Sequence, residues 1–200
     1  MSVFSSLIDQ SQVVEILEDA AQAAHNSNDL SQVMTNTWLF TGPPGSGRSN
    51  AAIAFAAALV CKEGGCSKCN DCLSTILGTH ADVELIKTQG LSIKIDEVRE
   101  LITRASWAPS VANYRVVVIE DADRLTDSAA NALLKVIEEP GLRTIWLLCA
   151  PTLTDVLPTI RSRCRHLSLR TPSTKAITNL LIERDAVDVK TAEFVARASG

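Results

Sequence analysis

The chain has 200 residues, 46% of them hydrophobic and 21% charged, which is enough apolar surface for one or two packed domains. Its net charge of −4 excludes a generic polyanion binder, though not a local basic face. The start "MSVFSSLIDQ" lacks the basic-then-apolar pattern of a secretory signal, and no stretch offers the ~20 uninterrupted apolar residues of a membrane span. Four of the six cysteines lie within twelve residues, which suits reduced thiols or a metal cluster in the cytoplasm rather than a disulfide scaffold.

Residues 11–24 place Val13, Val14, Leu17, Ala20, Ala21 and Ala24 on one helical face, with Ser11 as the expected N-cap. "HNSNDLSQ" reads as a polar loop. "TWLFT" (37–41) is an apolar run ending in glycines, hence a buried strand. "RSNAAIAFAAALV" (48–60) is an alanine-rich helix able to pack closely. After the cysteines, "VELIK" (83–87) is a second strand, and "IDEVRELITRA" (95–105) is an amphipathic helix. "RVVVIEDAD" (115–123) is an apolar strand ending in acids, and 128–140 is a helix stopped by Pro140. "TIWLLCAP" (144–151) is another buried strand, with Cys149 in the core, and "RHLSL" (165–169) alternates. Thr171 opens a different texture, two short helices with Ser173 and Asp188 as caps. Strands alternating with helices predict an α/β fold with a mostly parallel sheet covered on both faces. A small helical domain is expected to begin near residue 172, and two helices up to Gly200 read as only its start.

Three constellations carry chemistry. The first is "GPPGSGRS" (42–49). It fits the phosphate-loop pattern G-x-x-x-x-G-K-[ST] except that Arg48 stands where lysine belongs. Gly42, Gly45 and Gly47 let backbone N–H groups wrap an anion at a helix N-terminus, and Ser49 is placed to contact Mg²⁺. The bland alternative is a glycine turn with no ligand. Arginine keeps the charge, but its planar fork is expected to crowd a loop that grips phosphates or to point elsewhere. The second is Glu120-Asp121 at the carboxyl end of a strand, where open α/β sheets bind ligands. A P-loop ATPase wants the shorter Asp first, for Mg²⁺, and the longer Glu second, to align water. Here the lengths are reversed, by ~1.3 Å of reach. The pair would also serve as a solvated strand end. The third is C-x4-C-x2-C-x2-C, formed by Cys61, Cys66, Cys69 and Cys72. Four thiolates at this spacing can surround one Zn²⁺ tetrahedrally, and Gly64-Gly65 lets the chain curl back. An iron–sulfur cluster and unpaired core cysteines are the alternatives. His80 and His166 read as a loop contact and a solvated strand position.

Taken together, these features resemble the clamp-loader branch of the AAA+ proteins. "NALLKVIEEP" resembles the helix after that family's second acidic motif. Ser162-Arg163-Cys164 resembles its SRC motif, and the four-cysteine module after the P-loop helix is a family hallmark. The resemblance runs from about Trp38 to Leu169. It implies a five-stranded parallel sheet forming a AAA+ P-loop domain over residues 1–171, with a zinc module at 61–72. A helical lid starts at 172–200, and a collar domain lies outside this chain. In the bacterial members of the family, the gamma/tau subunit is the motor and the delta-prime subunit a stator that generally does not turn over ATP. Arg48, Glu120-Asp121 and Ala150-Pro151 depart from the motor pattern at three contact points of one nucleotide, and "GTHAD" (78–82) also resembles delta-prime.

The resemblance therefore implies a stator of the DNA polymerase III clamp loader, helping to load the sliding clamp onto primed DNA. It would be a component of a DNA-directed DNA polymerase holoenzyme with weak or no ATP turnover of its own. Arg163 would act in trans as an arginine finger on a neighbour's ATP. Its partners would be gamma/tau and delta subunits, with clamp and primed DNA reached through the complex. Zn²⁺ would be structural, with ATP or ADP and Mg²⁺ at a degenerate site. On spacing alone, Arg161, Arg163 and Arg165 would be a solvated basic stretch. The rival readings are a gamma/tau-like ATPase and, more remotely, a zinc-dependent nucleic-acid binder.

Overall fold

In the computed structural model, residues 2–26, 34–88, 90–141, 143–185 and 187–198 are described. The expected loop at 25–32 falls largely outside them. Its first two residues, His25 and Asn26, close helix α1 (Ser11–Asn26). Five strands, β1 (Thr37–Thr41), β2 (Val83–Ile86), β3 (Arg115–Ile119), β4 (Thr144–Ala150) and β5 (Arg165–Ser168), form one sheet in the order β2-β3-β4-β1-β5. Every pairing is parallel, as the alternation of strands and helices predicts. All the strands therefore deliver their carboxyl ends to one edge.

The central strands are buried on both faces, which is why they read as unbroken apolar runs. Their alternation divides the core in two. Trp38, Phe40, Val116, Val118, Ile145 and Leu147 point to one side, where helix α2 (Arg48–Val60) and α1 pack. Leu39, Val117, Ile119, Trp146 and Leu148 point to the other, under helices α4 (Ile95–Ala105), α5 (Asp127–Glu138) and α6 (Pro158–Arg161). Nine residues of α2 are buried, six of them alanine, so the helix can lie close to the sheet with α1 on its other side. Trp38 meets the Phe55 ring edge-on at 5.0 Å, and the Arg165 guanidinium lies 4.7 Å over Trp38.

Boundaries differ from the sequence expectations in a few places. Ser11 is the first helical residue rather than the cap. The Gln10 carbonyl accepts from Val14 N–H, so the cap falls one residue earlier. Strand β3 stops at Ile119, and Glu120 and Asp121 form the turn beyond it. Two further helices, α7 (Thr174–Asp185) and α8 (Val189–Ala198), pack on each other. Their expected caps are present: the Ser173 hydroxyl accepts from Ala176 N–H, and the Asp188 carboxylate from Lys190 and Thr191 N–H.

Asp82, just before edge strand β2, is fully buried. One of its oxygens accepts from Ser110 N–H and Oγ–H (2.7 and 2.8 Å), the other from Val111 and Ala112 N–H (2.7 and 2.8 Å). The Arg115 guanidinium stands 3.3 Å away. Burial alone would raise this carboxyl's pKa. The N–H groups of Ala112, Ser110 and Val111, with the Ser110 hydroxyl, outweigh burial and bring it down to about 2.

A folded pKa below the unfolded one stabilises the fold at neutral pH. The contribution, about 2–3 kcal/mol, is intact above pH ~4 and lost as pH falls toward 2. Asp82→Ala is expected to cost ~3–5 kcal/mol, because it strands a buried guanidinium and several donors. Asp82→Asn should also flatten the acid limb of stability. Urea midpoints measured at pH 6, 4 and 3 check both, and an Asp82→Asn chain that keeps the wild-type acid dependence contradicts the assignment.

Candidate functional site

The loop 42–47 leaves β1 and enters α2 by a tight route. Gly42 N–H donates to the carbonyls of Ala150 (3.4 Å) and Pro151 (3.1 Å), at the end of β4. A Cβ at residue 42 would overlap the Ser46 hydroxyl and sit 2.8 Å from the Leu169 carbonyl, so only glycine fits. Gly45 and Gly47 have φ of 83° and 82°, the left-handed region that glycine enters freely. The expected strand–loop–helix context is therefore present, with the first N–H groups of α2 free of intrahelical partners.

Arg48 does not extend from this loop. Its Nη1 donates to the Gly42 carbonyl at 2.8 Å, folding the guanidinium back on the loop's own backbone, while Nε is buried without a hydrogen-bond partner. The expectation that the fork points elsewhere matches this geometry. Ser49 is half-buried in the first turn of α2. Beside the loop lies a mainly apolar cleft of about 230 Å³, lined by Leu7, Ile8, Pro172, Ile177 and Leu180 together with Gly45 and Gly47. Gln10 ties its two walls, donating to the Ser46 and Arg170 carbonyls. This cleft was not read from the sequence, because its residues come from three distant segments.

Glu120 and Asp121 sit at the same sheet edge, both already engaged. Glu120 stands 3.8 Å from Lys87 Nζ, and the Asp121 carboxylate accepts from Thr88 N–H at 3.3 Å. The fully buried Cys149 has its pKa raised, first by burial and then by Glu120, with Arg48 opposing and Asp121 adding to the effect. The loop after β1 and the acids after β3 both leave the carboxyl edge of the sheet, on either side of β4. At the end of β4, the carbonyls of Ala150 and Pro151 are already accepting from Gly42 N–H.

The four cysteines converge. The sulfurs of Cys61, Cys66, Cys69 and Cys72 all lie within 4.8 Å of one another, with Cys61–Cys66 at 3.8 Å and Cys61–Cys69 at 3.6 Å. Zn–S bonds of about 2.3 Å in a tetrahedron put sulfurs about 3.8 Å apart, so the cluster fits zinc. Gly64, Gly65 and Ser67, all at positive φ, turn the chain around it. Burial opposes ionisation at Cys61, but the N–H groups of Cys66, Gly65 and Glu63 outweigh it and bring the thiol down to about 7. The sequence reading missed the short helix α3 (Asn70–Ile76), which the Cys69 sulfur caps by accepting from Cys72 N–H.

Arg163 is exposed just past α6, as expected. Its Nη1 donates to the Thr159 carbonyl (2.8 Å) and the Ser162 hydroxyl (3.2 Å), and its Nη2 pairs with Glu138 at 2.7 Å. His80 is buried, with Nδ1 accepting from Asp82 N–H and Nε2 3.7 Å from Asp71. His166 is exposed, its Nε2 2.7 Å from the Thr41 hydroxyl. No described helix is long and apolar enough to cross a membrane.

If the cluster takes zinc, purified protein should hold about one zinc per chain. Cys69→Ser should release it and raise proteolysis within residues 61–76 before the sheet melts. A metal-free chain with the same protease resistance would contradict the assignment.

Residues 10–173 match the family model described as DNA polymerase III, delta subunit. The chain is 36% identical to the delta' subunit of DNA polymerase III from Bacillus subtilis over 155 residues, 76% of this chain and 47% of that protein. It is 31% identical to the gamma/tau subunit from Mycobacterium bovis over 207 aligned positions, 98% of this chain and 34% of that protein. The chain thus spans a third to a half of the curated relatives it matches. Among solved structures it resembles a gamma subunit-related protein of Thermotoga maritima (TM-score 0.59, 22% identity, 90% of this chain and 57% of that one). It also resembles the RuvB Holliday junction branch migration motor of the same organism (TM-score 0.62, 18% identity, 94% and 56%). At those identities the likeness speaks for the fold alone, an AAA+-like P-loop domain. By its match over residues 10–173 and its identity to the delta' relative, the chain belongs to the DNA polymerase III delta-subunit family of clamp-loader AAA+ proteins.

Proposed function

We propose that the chain is the delta-prime-like stator of a DNA polymerase III clamp loader, presenting Arg163 to the ATP of a neighbouring gamma/tau subunit. The carrying observation is Arg48, whose guanidinium is bonded to the Gly42 carbonyl rather than available to a phosphate. The glycine loop has the shape for a phosphate but lacks a lysine to close over it. The cleft beside Leu7 and Ile177 would take a flat apolar base, with Ser49, Glu120 and Asp121 around any Mg²⁺. Asp121, the shorter acid in the water-aligning position, is instead committed to Thr88. The site is then a degenerate nucleotide site, suited to holding ATP or ADP weakly rather than to hydrolysis. Arg163, in contrast, is exposed at the surface in the turn between α6 and β5.

The remaining organisation follows the same reading. Residues 1–171 form the nucleotide-binding-like domain, 172–200 belong to a helical lid, and the cysteine module holds a structural zinc. The partners are gamma/tau and delta subunits, and clamp and primed DNA are engaged through the complex in the cytoplasm. One observation favours a second reading, a gamma/tau-like ATPase: the gamma/tau relative aligns over 98% of the chain, further than the delta' relative.

ATP turnover separates the two. The isolated chain should hydrolyse at background level, whereas ~1 s⁻¹ or faster, the ordinary enzyme range, would select the motor. Arg48→Lys alone should not restore robust turnover, because Asp121 and Pro151 remain. In the reconstituted full-length loader, Arg163→Ala should slow the facing motor site by ~10–10³-fold with assembly intact. Unchanged turnover there would return Arg163 to a solvated surface charge.

A further inference from the structure

The Arg163 side chain is exposed, yet it is held at three points. Two are local, the Thr159 carbonyl and the Ser162 hydroxyl. The third is distant in sequence: the carboxylate of Glu138, the last residue of α5, 2.7 Å from Nη2. A carboxylate at a helix carboxyl end faces the negative end of the helix dipole, so it is poorly placed unless a cation answers it. Arg163 is that cation, and α5 and α6 pack on each other to bring the two together. Glu139, next in the chain, makes no ion pair with Arg163, so the contact is specific to one of two adjacent carboxylates.

We propose that Glu138 is a positioning residue for Arg163, fixing the guanidinium so that it meets a neighbour's phosphoryl group already oriented. The inference rests on the reading of Arg163 given above. A free arginine loses much rotamer freedom when it docks, and a side chain already held loses less at the moment of reaction. The hold is a hydrogen-bonded ion pair at the surface, weak enough to adjust when a triphosphate arrives. An amide at residue 138 keeps an oxygen acceptor and loses only the charge. A methyl group loses both.

The test uses the full-length subunit in reconstituted loaders in which the other motor sites are disabled, so that only the site facing Arg163 is read. With assembly and melting temperature verified, Glu138→Ala should lower turnover at saturating ATP by ~2–5-fold, the rate equivalent of an exposed ion pair, with KM little changed. Glu138→Gln should retain most of the activity. In an Arg163→Ala background, Glu138→Ala should have no further effect. Turnover that is unchanged or faster in Glu138→Ala overturns the proposal, and faster turnover identifies a parked arginine instead. Equal losses in Ala and Gln, or a loss that persists without Arg163, also overturn it. If Arg163→Ala slows the site and Glu138 variants do not, only the positioning role falls. If Arg163→Ala itself has no effect, the reading of the finger falls with it.

Discussion

Everything at the functional edge depends on how closely the backbone can approach itself at Gly42. Its N–H is held by the end of β4, its carbonyl by Arg48, and the space of its absent side chain by Ser46 and the Leu169 carbonyl. One residue thus registers β1 against β4, the turn into α2, and the stretch that follows β5. A methyl group there would drive the loop, at Ser46, away from the Leu169 carbonyl beyond β5, in a core that cannot absorb volume cheaply. The loop keeps the architecture of an anion site because that architecture is also the packing of the sheet edge. Its shape can therefore outlive its use. The lysine position is not under the same constraint, and there the chain has an arginine that bonds inward.

A second, smaller constraint joins the cysteine module to the sheet. Asp82 holds the loop at 110–112 and faces Arg115 at the start of β3, while its own N–H is received by His80, whose other nitrogen faces Asp71 on α3. On the opposite side, Val3 N–H donates to the Gly65 carbonyl, and Val3 fills the space that a Cβ at residue 65 would take. The excursion is thereby gripped from two sides of the domain. A bound metal would add a third grip within it, from residues spaced too closely to form a core of their own.

What could be read from the sequence was mostly what one segment settles by itself. β1, α2 and α4 were legible to the residue, because each is an apolar run or a 3.6-residue pattern bounded by a change in composition. The four sulfurs were legible because their spacing alone nearly dictates their meeting. Helix α3 was not, since seven residues that hold one cysteine and are capped by another carry no periodicity of their own. The acids at 120 and 121 were placed at a strand end, but their partners, Lys87 and Thr88, come from the neighbouring strand's exit. The same limit hid Glu138 against Arg163 and the cleft between residues 7 and 180. Contacts between segments follow from the topology, and local pattern does not encode it.

The outer strands of the sheet have a consequence for how this domain behaves among its own copies. β2 and β5, the two edges, are each four residues long. β2 carries Glu84, answered by Arg104 from α4, and β5 carries Arg165 and His166. A passing strand from another molecule finds too few free backbone groups to pair with, and side chains that would have to give up water or a charged partner to allow it. The central strands, whose unbroken valine and leucine runs would stack readily on their like, are never at the rim. Crowding many copies of such domains together, as any multi-subunit machine must, therefore carries little risk of their sheets fusing into one.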